Sequence, residues 1–319
     1  MDTPLKSILP WVDLPPDEQR AKKRSFVQTA LSNRGLNCEV APVVASPLQR
    51  GYRARVKLRS GPGGALGFHQ PQSHEFVEVP LEDVAIAPVV ELAKELKARG
   101  FLKEEAELRS DGKKAVLVLS QVLPKAFRDL PAVAVNNKHA VGDCFLWIDG
   151  LRVSPLSFYQ VNLEVNRLIR EDVDRWLIDL APARLLDLFA GMGNLSAKAI
   201  ARGTPCTLLE KEGSACSDAR FNFRGKPHVE IIEGNAGKFT SGQTFFDVAL
   251  LDPPRAGAPG LLPRLALTRP RAILYLSCDP VSLAKDLGEI RGYDVAAVTP
   301  YDMFPGTDHV ETLVVLLRK

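Results

Sequence analysis

The sequence predicts an α/β protein: a parallel, crossover-connected sheet whose last strand turns antiparallel, preceded by a smaller α+β domain. Three observations carry that expectation. From Arg184 onward, short runs rich in Leu, Val and Ile alternate with segments able to form helices, the pattern of a parallel sheet with crossover helices. The last two runs are separated only by MFPGTD, which leaves no room for a helix. A parallel crossover needs about a dozen residues, so the final strand is expected to reverse. Ahead of residue 150 the runs are shorter and surround one helical segment, which breaks the alternation.

In chain order, residues 1–37 read as an N-terminal helical segment, with the helix in 17-DEQRAKKRSFVQTALSNRG. Residues 38–150 read as the smaller α+β domain. Its strands are expected in 51-GYRARVKLR, 65-ALGFHQ, 76-FVEVP and 115-AVLVLS, around the helix 88-PVVELAKELKARG. Residues 151–319 form the third division, led by a helix in 157-SFYQVNLEVNRLIREDVDRWL-177, where Val161, Val165, Leu168, Ile169, Val173, Trp176 and Leu177 recur at helical spacing. Strands then follow at 185-LLDLF, 205-PCTLLE, 228-HVEIIEG, 246-FDVALLD, 272-AILYLS, 294-DVAAVTPYD and 309-HVETLVVLLRK. This order, closed by an antiparallel hairpin, is that of the Rossmann-like class I methyltransferase sheet.

Composition bounds the functional class. A chain of 319 residues, 45 % apolar and 25 % charged, suits a soluble protein with room for two domains. The N-terminus lacks a cationic start followed by a long apolar run, and no segment approaches the roughly 18 apolar residues of a membrane span, so a cytoplasmic location is expected. Cys38, Cys144, Cys206, Cys216 and Cys278 are odd in number and scattered, which argues against a disulfide framework or a zinc site. The net charge of +3 comes from the first half, a mild signal for an acidic partner.

Four segments carry chemistry. In 187-DLFAGMGNLSAKAIA a strand runs into glycines and then a helix, so backbone N–H groups can approach a ligand. Glu210 ends the next strand, where a carboxylate can hold both hydroxyls of a ribose. The pattern D-x-F-x-G-x-G-N suits S-adenosylmethionine better than a nicotinamide, and Asn235 would then lie beside the adenine. In 250-LLDPPRAGAPG the prolines hold Asp252 at the sheet edge; an aromatic fourth residue would suggest amino-group methylation, but that residue is Arg255. In 272-AILYLSCDP a thiol, Cys278, sits where a strand stops, and in 301-YDMFPGTDHVETLVV the final strand opens with Glu311. Antiparallel pairing of these two strands would bring Cys278 and Glu311 to one pocket.

With these segments in family order (SFYQVN, DLFAGMGN, Glu210, LLDPPRAG, YLSCDP, DMFPGTDHVE), residues 157–319 resemble the catalytic domain of the RNA 5-methyluridine methyltransferases. The likeness covers about half the chain. A fainter similarity in 52-YRARVKLR, 66-LGF and 73-SH points to the family's RNA-contacting central domain. The resemblance implies transfer of a methyl group from S-adenosylmethionine to C5 of a uridine in ribosomal or transfer RNA, with Cys278 as nucleophile and Glu311 as base. It assigns Gln160, Phe189, Asn194, Glu210, Asn235 and Asp252 to the cofactor pocket. Some members carry an iron–sulfur cluster on four N-terminal cysteines and many begin with a small β-barrel; neither is expected here, since no cysteine precedes Gln19. Asp279 also stands where Asn is commoner in relatives, and a carboxylate beside Cys278 would disfavour the thiolate unless it points away.

Substrate capture is expected at 53-RARVKLR-59, where Arg53, Arg55, Lys57 and Arg59 would share one strand face opposite Ala54, Val56 and Leu58. A phosphate backbone suits such a face, although neighbouring carboxylates on a solvated strand would also satisfy it. The expected partner is RNA, with no membrane and a monomeric chain. Two other functional classes stay open on the residues alone: a catalytically silent RNA-binding relative, and an amino-directed methyltransferase, for which Cys278→Ala would leave turnover intact.

Overall fold

The structure is a computed structural model that describes residues 4–69, 75–100, 105–120, 122–239 and 245–319; the expected RNA-contacting pair Ser73 and His74 lies outside them. The chain divides into two compact units: Met1–Pro16, Pro47–Glu164 and Pro305–Thr307 in the first, Asp17–Ser46, Val165–Phe304 and Asp308–Lys319 in the second. These divisions fall elsewhere than residues 37 and 150. Helix α1 (Pro16–Ser32) buries Gln19, Lys23, Val27 and Leu31, one row at four-residue spacing. Val27 and Leu31, with Val40, join the core of the second unit, which is why this segment does not stand alone.

The first unit is built on a seven-stranded sheet. Its strands are β1 (Arg55–Ser60), β2 (Leu66–His69), β3 (Phe76–Val77), β4 (Ala106–Ser110), β5 (Ala115–Leu119), β6 (Val133–Val135) and β7 (Lys138–Val141), in the order β3-β2-β1-β4-β5-β6-β7. Neighbours are antiparallel except β5 and β6. Helix α2 (Ala87–Ala98) contributes Val89, Val90, Leu92, Ala93 and Leu96 to a core shared with Val56, Leu58, Leu108 and Leu117. A separate hairpin pairs β8 (Leu146–Ile148) with β9 (Leu151–Val153). The expected strands and helix are present, but β4 and β6–β9 were not legible. β4 carries Glu107 and Arg109 among its five residues, and the others are too short to show a period of two.

The second unit carries α3 (Leu163–Leu180) and then β10 (Leu185–Leu188), α4 (Ala197–Ala201), β11 (Cys206–Glu210), α5 (Gly213–Asn222), β12 (Val229–Glu233), β13 (Val248–Leu251), α6 (Leu261–Leu267), β14 (Ala272–Ser277), α7 (Pro280–Glu289), β15 (Tyr293–Tyr301) and β16 (Glu311–Arg318). The seven strands expected from the sequence are all present, in the order β12-β11-β10-β13-β14-β16-β15. β10 to β14 are mutually parallel, and β16 lies antiparallel between β14 and β15. The four central strands β10, β11, β13 and β14 are buried throughout their lengths, as a sheet covered on both faces requires. α3 begins six residues later than the SFYQVN motif, which is not helical.

Candidate active site

Ligands of open α/β sheets bind beyond the carboxyl ends of the strands, and there the second unit gathers most of its motifs. Phe189 follows β10, Glu210 ends β11, Asn235 lies two residues beyond β12, Asp252 follows β13 and Cys278 follows β14. Because β16 is antiparallel, its first residue, Glu311, starts at that same edge. The register pairs Ser277 with Thr312, so the next step along the ladder sets Cys278 opposite Glu311. Placement of the thiol against the carboxylate is thus a consequence of one strand reversal.

The glycine segment turns sharply as it leaves β10. Phe189 adopts φ 60°, a left-handed conformation uncommon outside glycine, and Gly191 and Gly193 follow at φ 56° and 84°. A side chain on Gly193 would run into the Phe223 ring at 2.3 Å, whereas a Cβ on Gly191 would meet nothing within 4 Å. The Gly191 N–H donates to the Glu210 carboxylate at 2.9 Å, and Lys211 and Glu212 donate their N–H groups to its other oxygen at 2.7 and 2.8 Å. Asn194 exchanges two hydrogen bonds with Asn166 of α3, at 2.8 and 3.2 Å. Asn235 accepts from the Gly237 N–H at 2.9 Å, fixing the turn after β12.

Carboxylates dominate the electrostatics. Burial pushes Asp187, inside β10, up to about 7, and the charges of Asp252 and Glu210 add to the effect. Asp252 is raised by burial and then by Glu210, and Glu311, 2 % exposed, is raised by burial and then by Asp252. The half-buried Cys278 thiol is pushed up to about 11 by burial and by the charges of Glu311 and Asp252, while Arg255 acts in the opposite direction. Asp279 points elsewhere: it is the N-cap of α7, accepting from the Ser282 N–H at 2.8 Å. Its carboxylate thus serves as a helix cap, with Arg255 3.7 Å from the free side.

Several supporting residues escaped the sequence. Asp286, 1 % exposed, accepts from the Tyr275 hydroxyl at 2.6 Å and the Ala258 N–H at 2.7 Å, tying the loop after Asp252 to α7. Fully buried Lys23 of α1 donates to Asp302 at 2.6 Å and to the Phe304 carbonyl at 2.9 Å, securing the connection that leads to Glu311. Burial lowers the Lys23 pKa, and Asp302 opposes that shift. Asp187 had a signal, a lone carboxylate inside an apolar strand; Lys23 had none, since a Lys-Lys-Arg run reads as solvated.

Gln160 and the basic strand belong to the first unit. Gln160 is 8 % exposed. Along β1 the expected alternation is present, with Val56 and Leu58 buried and Lys57 and Arg59 exposed. The cations are nevertheless partnered within the sheet: Arg55 lies 3.7 Å from Glu107, and Lys57 and Arg59 lie 3.4 and 2.8 Å from Glu105. Arg55 also stacks over the exposed Phe158 ring, 5.0 Å from its centroid. Arg53 precedes β1 and bridges to Ala85 and Asn162, so it is not part of that strand face. Among the described residues, no cluster of three His, Cys, Asp or Glu could hold a metal ion, and no helix is long and apolar enough to cross a membrane.

Comparison with known proteins places these features. The profile of the tRNA (uracil-5-)-methyltransferases matches residues 238–319, and that of "conserved hypothetical protein 95" matches residues 166–276. A 23S rRNA (uracil(747)-C(5))-methyltransferase from Shewanella sp. (strain ANA-3) is 37 % identical over 174 residues, covering 53 % of this chain and 45 % of the relative. The chain thus spans about half the length of that relative. The corresponding enzyme of Shewanella amazonensis is 32 % identical over 247 residues, 69 % of this chain and 64 % of its own. In structure, the tRNA (uracil-54, C5)-methyltransferase of Pyrococcus abyssi, solved with S-adenosyl-L-homocysteine, aligns over 98 % of this chain and 86 % of its own with a TM-score of 0.77 at 22 % identity, a shared fold. Strand order, the motifs at the strand ends and these matches point the same way: the chain is similar to the RNA uracil-C5 methyltransferases over about half its length.

Proposed function

We propose that the protein transfers a methyl group from S-adenosylmethionine to C5 of a uridine in ribosomal or transfer RNA, the second unit performing the chemistry and the first contacting RNA. The observation that carries this reading is the juxtaposition of Cys278 and Glu311 across the β14–β16 ladder. The residues present suit the cofactor: Gly191 leaves open space at the end of β10, Glu210 ends β11, and the carboxylates Asp187, Asp252 and Glu311, each raised first by burial and then by a neighbouring carboxylate, would be relieved by a cation. Gln160, Phe189, Asn194, Glu210, Asn235 and Asp252 are the residues proposed to hold it. When bound, S-adenosylmethionine supplies an electrophilic methyl group on a sulfonium.

C5 of a neutral uracil is a poor nucleophile, so the ring must first gain electron density. The Cys278 thiolate adds at C6, forming an S–C6 bond and moving the ring's electron pair into an enolate, whose C5 could then take the methyl group from the sulfonium, its S–CH3 bond breaking to leave a neutral thioether. Glu311 then removes the C5 proton, the C5–C6 double bond reforms and the thiolate leaves. A carboxylate with a raised pKa is a stronger base than an exposed one, which suits Glu311 to this step. The target base must leave its stack to reach the thiol, which favours a loop or unpaired site.

Nucleoside mass spectrometry of ribosomal and transfer RNA from cells with and without the gene tests the reading. Loss of 5-methyluridine from one pool is expected, and names the substrate. Unchanged 5-methyluridine in both pools would refute it.

A further inference from the structure

Glu311 lies on the last rung of a hairpin. Tyr301 of β15 pairs with Glu311 of β16, and residues 302–310 form the loop that closes the pair. A terminal rung is where a hairpin opens most readily, so the loop decides how firmly the carboxylate is held. Earlier parts of the chain grip that loop at consecutive points. In the second unit, the Asp302 N–H donates to the Val44 carbonyl at 2.9 Å, and Lys23 donates to the Asp302 carboxylate at 2.6 Å and to the Phe304 carbonyl at 2.9 Å. Pro305–Thr307 belong to the first unit. There the buried Tyr52 hydroxyl donates to the Pro305 carbonyl at 3.1 Å, and the Trp11 N–H donates to the Gly306 carbonyl at 2.8 Å. Gly306, at φ 80°, lies against Leu9, where an added Cβ would sit 3.1 Å from the Leu9 Cβ.

The backbone around Tyr52 is fixed on both sides. Gly51, at φ 61°, donates its N–H to the Asp83 carbonyl at 2.9 Å, and a side chain there would strike the Glu82 carbonyl oxygen at 2.7 Å. Arg53 and Ala54 donate their N–H groups to the carbonyls of Val84 and Val161 at 3.0 and 2.7 Å. Tyr52 is 1 % exposed, so its ring is not available to stack on RNA bases, although it directly precedes the basic strand. Pro305 is buried as well, and a buried carbonyl needs a donor. Resting on the reading of Glu311 as base, we propose that Tyr52 is a positioning residue for the reaction: its hydroxyl holds the 302–310 loop closed and thereby keeps the Glu311 rung formed.

Tyr52→Phe removes the hydroxyl and keeps the ring. Hydrogen–deuterium exchange of the full chain, without RNA or cofactor, is followed by peptide mass spectrometry, with near-ultraviolet circular dichroism to verify folding. The variant is expected to exchange about three- to tenfold faster across residues 302–311, the worth of one net hydrogen bond, with the peptides of β10 and β13 unchanged. In single turnover it is expected to release methylated RNA about three- to tenfold more slowly, while forming the Cys278 adduct at an unchanged rate and binding RNA with an unchanged dissociation constant. Because Tyr52 acts through Glu311, Tyr52→Phe should add no further loss in the Glu311→Gln background. Unchanged exchange across 302–311 overturns the proposal, and so does an equal slowing of release in both backgrounds. Faster exchange with release at the wild-type rate overturns the positioning role. Exchange needs neither RNA nor methyl transfer, so its failure is separate from failure of Glu311 as base, which undiminished turnover in Glu311→Gln alone would reveal.

Discussion

Two strands drew notice in the sequence for opposite reasons, and the structure treats them differently. β14 ends in Cys278, a single odd residue, and the fold gives it a partner from a distant segment, Glu311. β1 bears a row of cations with an evident use, and the fold supplies the row with Glu107 of β4 and with Glu105, the residue just before that strand. The thiol gained meaning from its neighbours and the cations lost some of theirs. Charge periodicity along one strand shows which residues share a face, but not what the adjacent strand sets beside them.

The sharpest break of this contrast is at Glu311. Glu311→Gln should lower methyl transfer by about a hundred- to ten-thousandfold, the usual contribution of a positioned base, while letting a protein–RNA adduct accumulate because the C5 proton is not removed. Single-turnover kinetics with intact-complex mass spectrometry reads both effects. Loss of turnover with no adduct would move Glu311 from base to mere scaffold.

Next in size is the buried Lys23–Asp302 pair. Lys23→Met should destabilise the protein by about 3–5 kcal/mol, since it strands a buried carboxylate, and Lys23→Met with Asp302→Leu should recover most of that loss. Urea unfolding of the two variants checks it. An unstable double variant would mean that the charges do more than cancel one another.

A pH dependence follows from Asp187. Its folded pKa of about 7 lies above the ordinary carboxylate value near 3.9, so its contribution is fully present below about pH 4 and is lost as pH rises through about 7. The melting temperature of the cofactor-free protein should fall between about pH 4 and pH 7, and Asp187→Asn should flatten that slope. An identical slope in the variant would place the effect elsewhere.

The smallest effect concerns the basic strand. If Glu105 competes with phosphate for Lys57 and Arg59, Glu105→Gln should tighten RNA binding by a factor of about two to five, the scale of exposed ion pairs. Lys57→Ala should reduce the salt dependence of binding by about one phosphate contact. Binding titrations at several salt concentrations measure both, and no change in either would remove this face from substrate capture.

These cases also show what was legible beforehand. The parallel strands of the second unit were readable because each is a continuous apolar run bounded by turn residues, and the final reversal because MFPGTD cannot hold a crossover helix. Cys278 and Glu311 were readable as strand termini. By contrast, β4 hid among charges, and with it the carboxylates that meet Arg55, Lys57 and Arg59. Lys23, Asp286 and Asn166 act through partners at least 11 residues away in sequence, at Asp302, Tyr275 and Asn194. No local pattern announces such contacts. Asp279 was read as a threat to the thiolate because its second job, capping α7, depends on where its side chain turns.

The most direct test of the central claim is covalent capture. The protein is mixed with RNA carrying 5-fluorouridine, whose C5 fluorine the base cannot remove, together with S-adenosylmethionine, and the products are separated under denaturing conditions. The account predicts a stable protein–RNA adduct mapped to Cys278 and absent from Cys278→Ala. An adduct that persists in Cys278→Ala, or none from folded, RNA-bound protein, would contradict it.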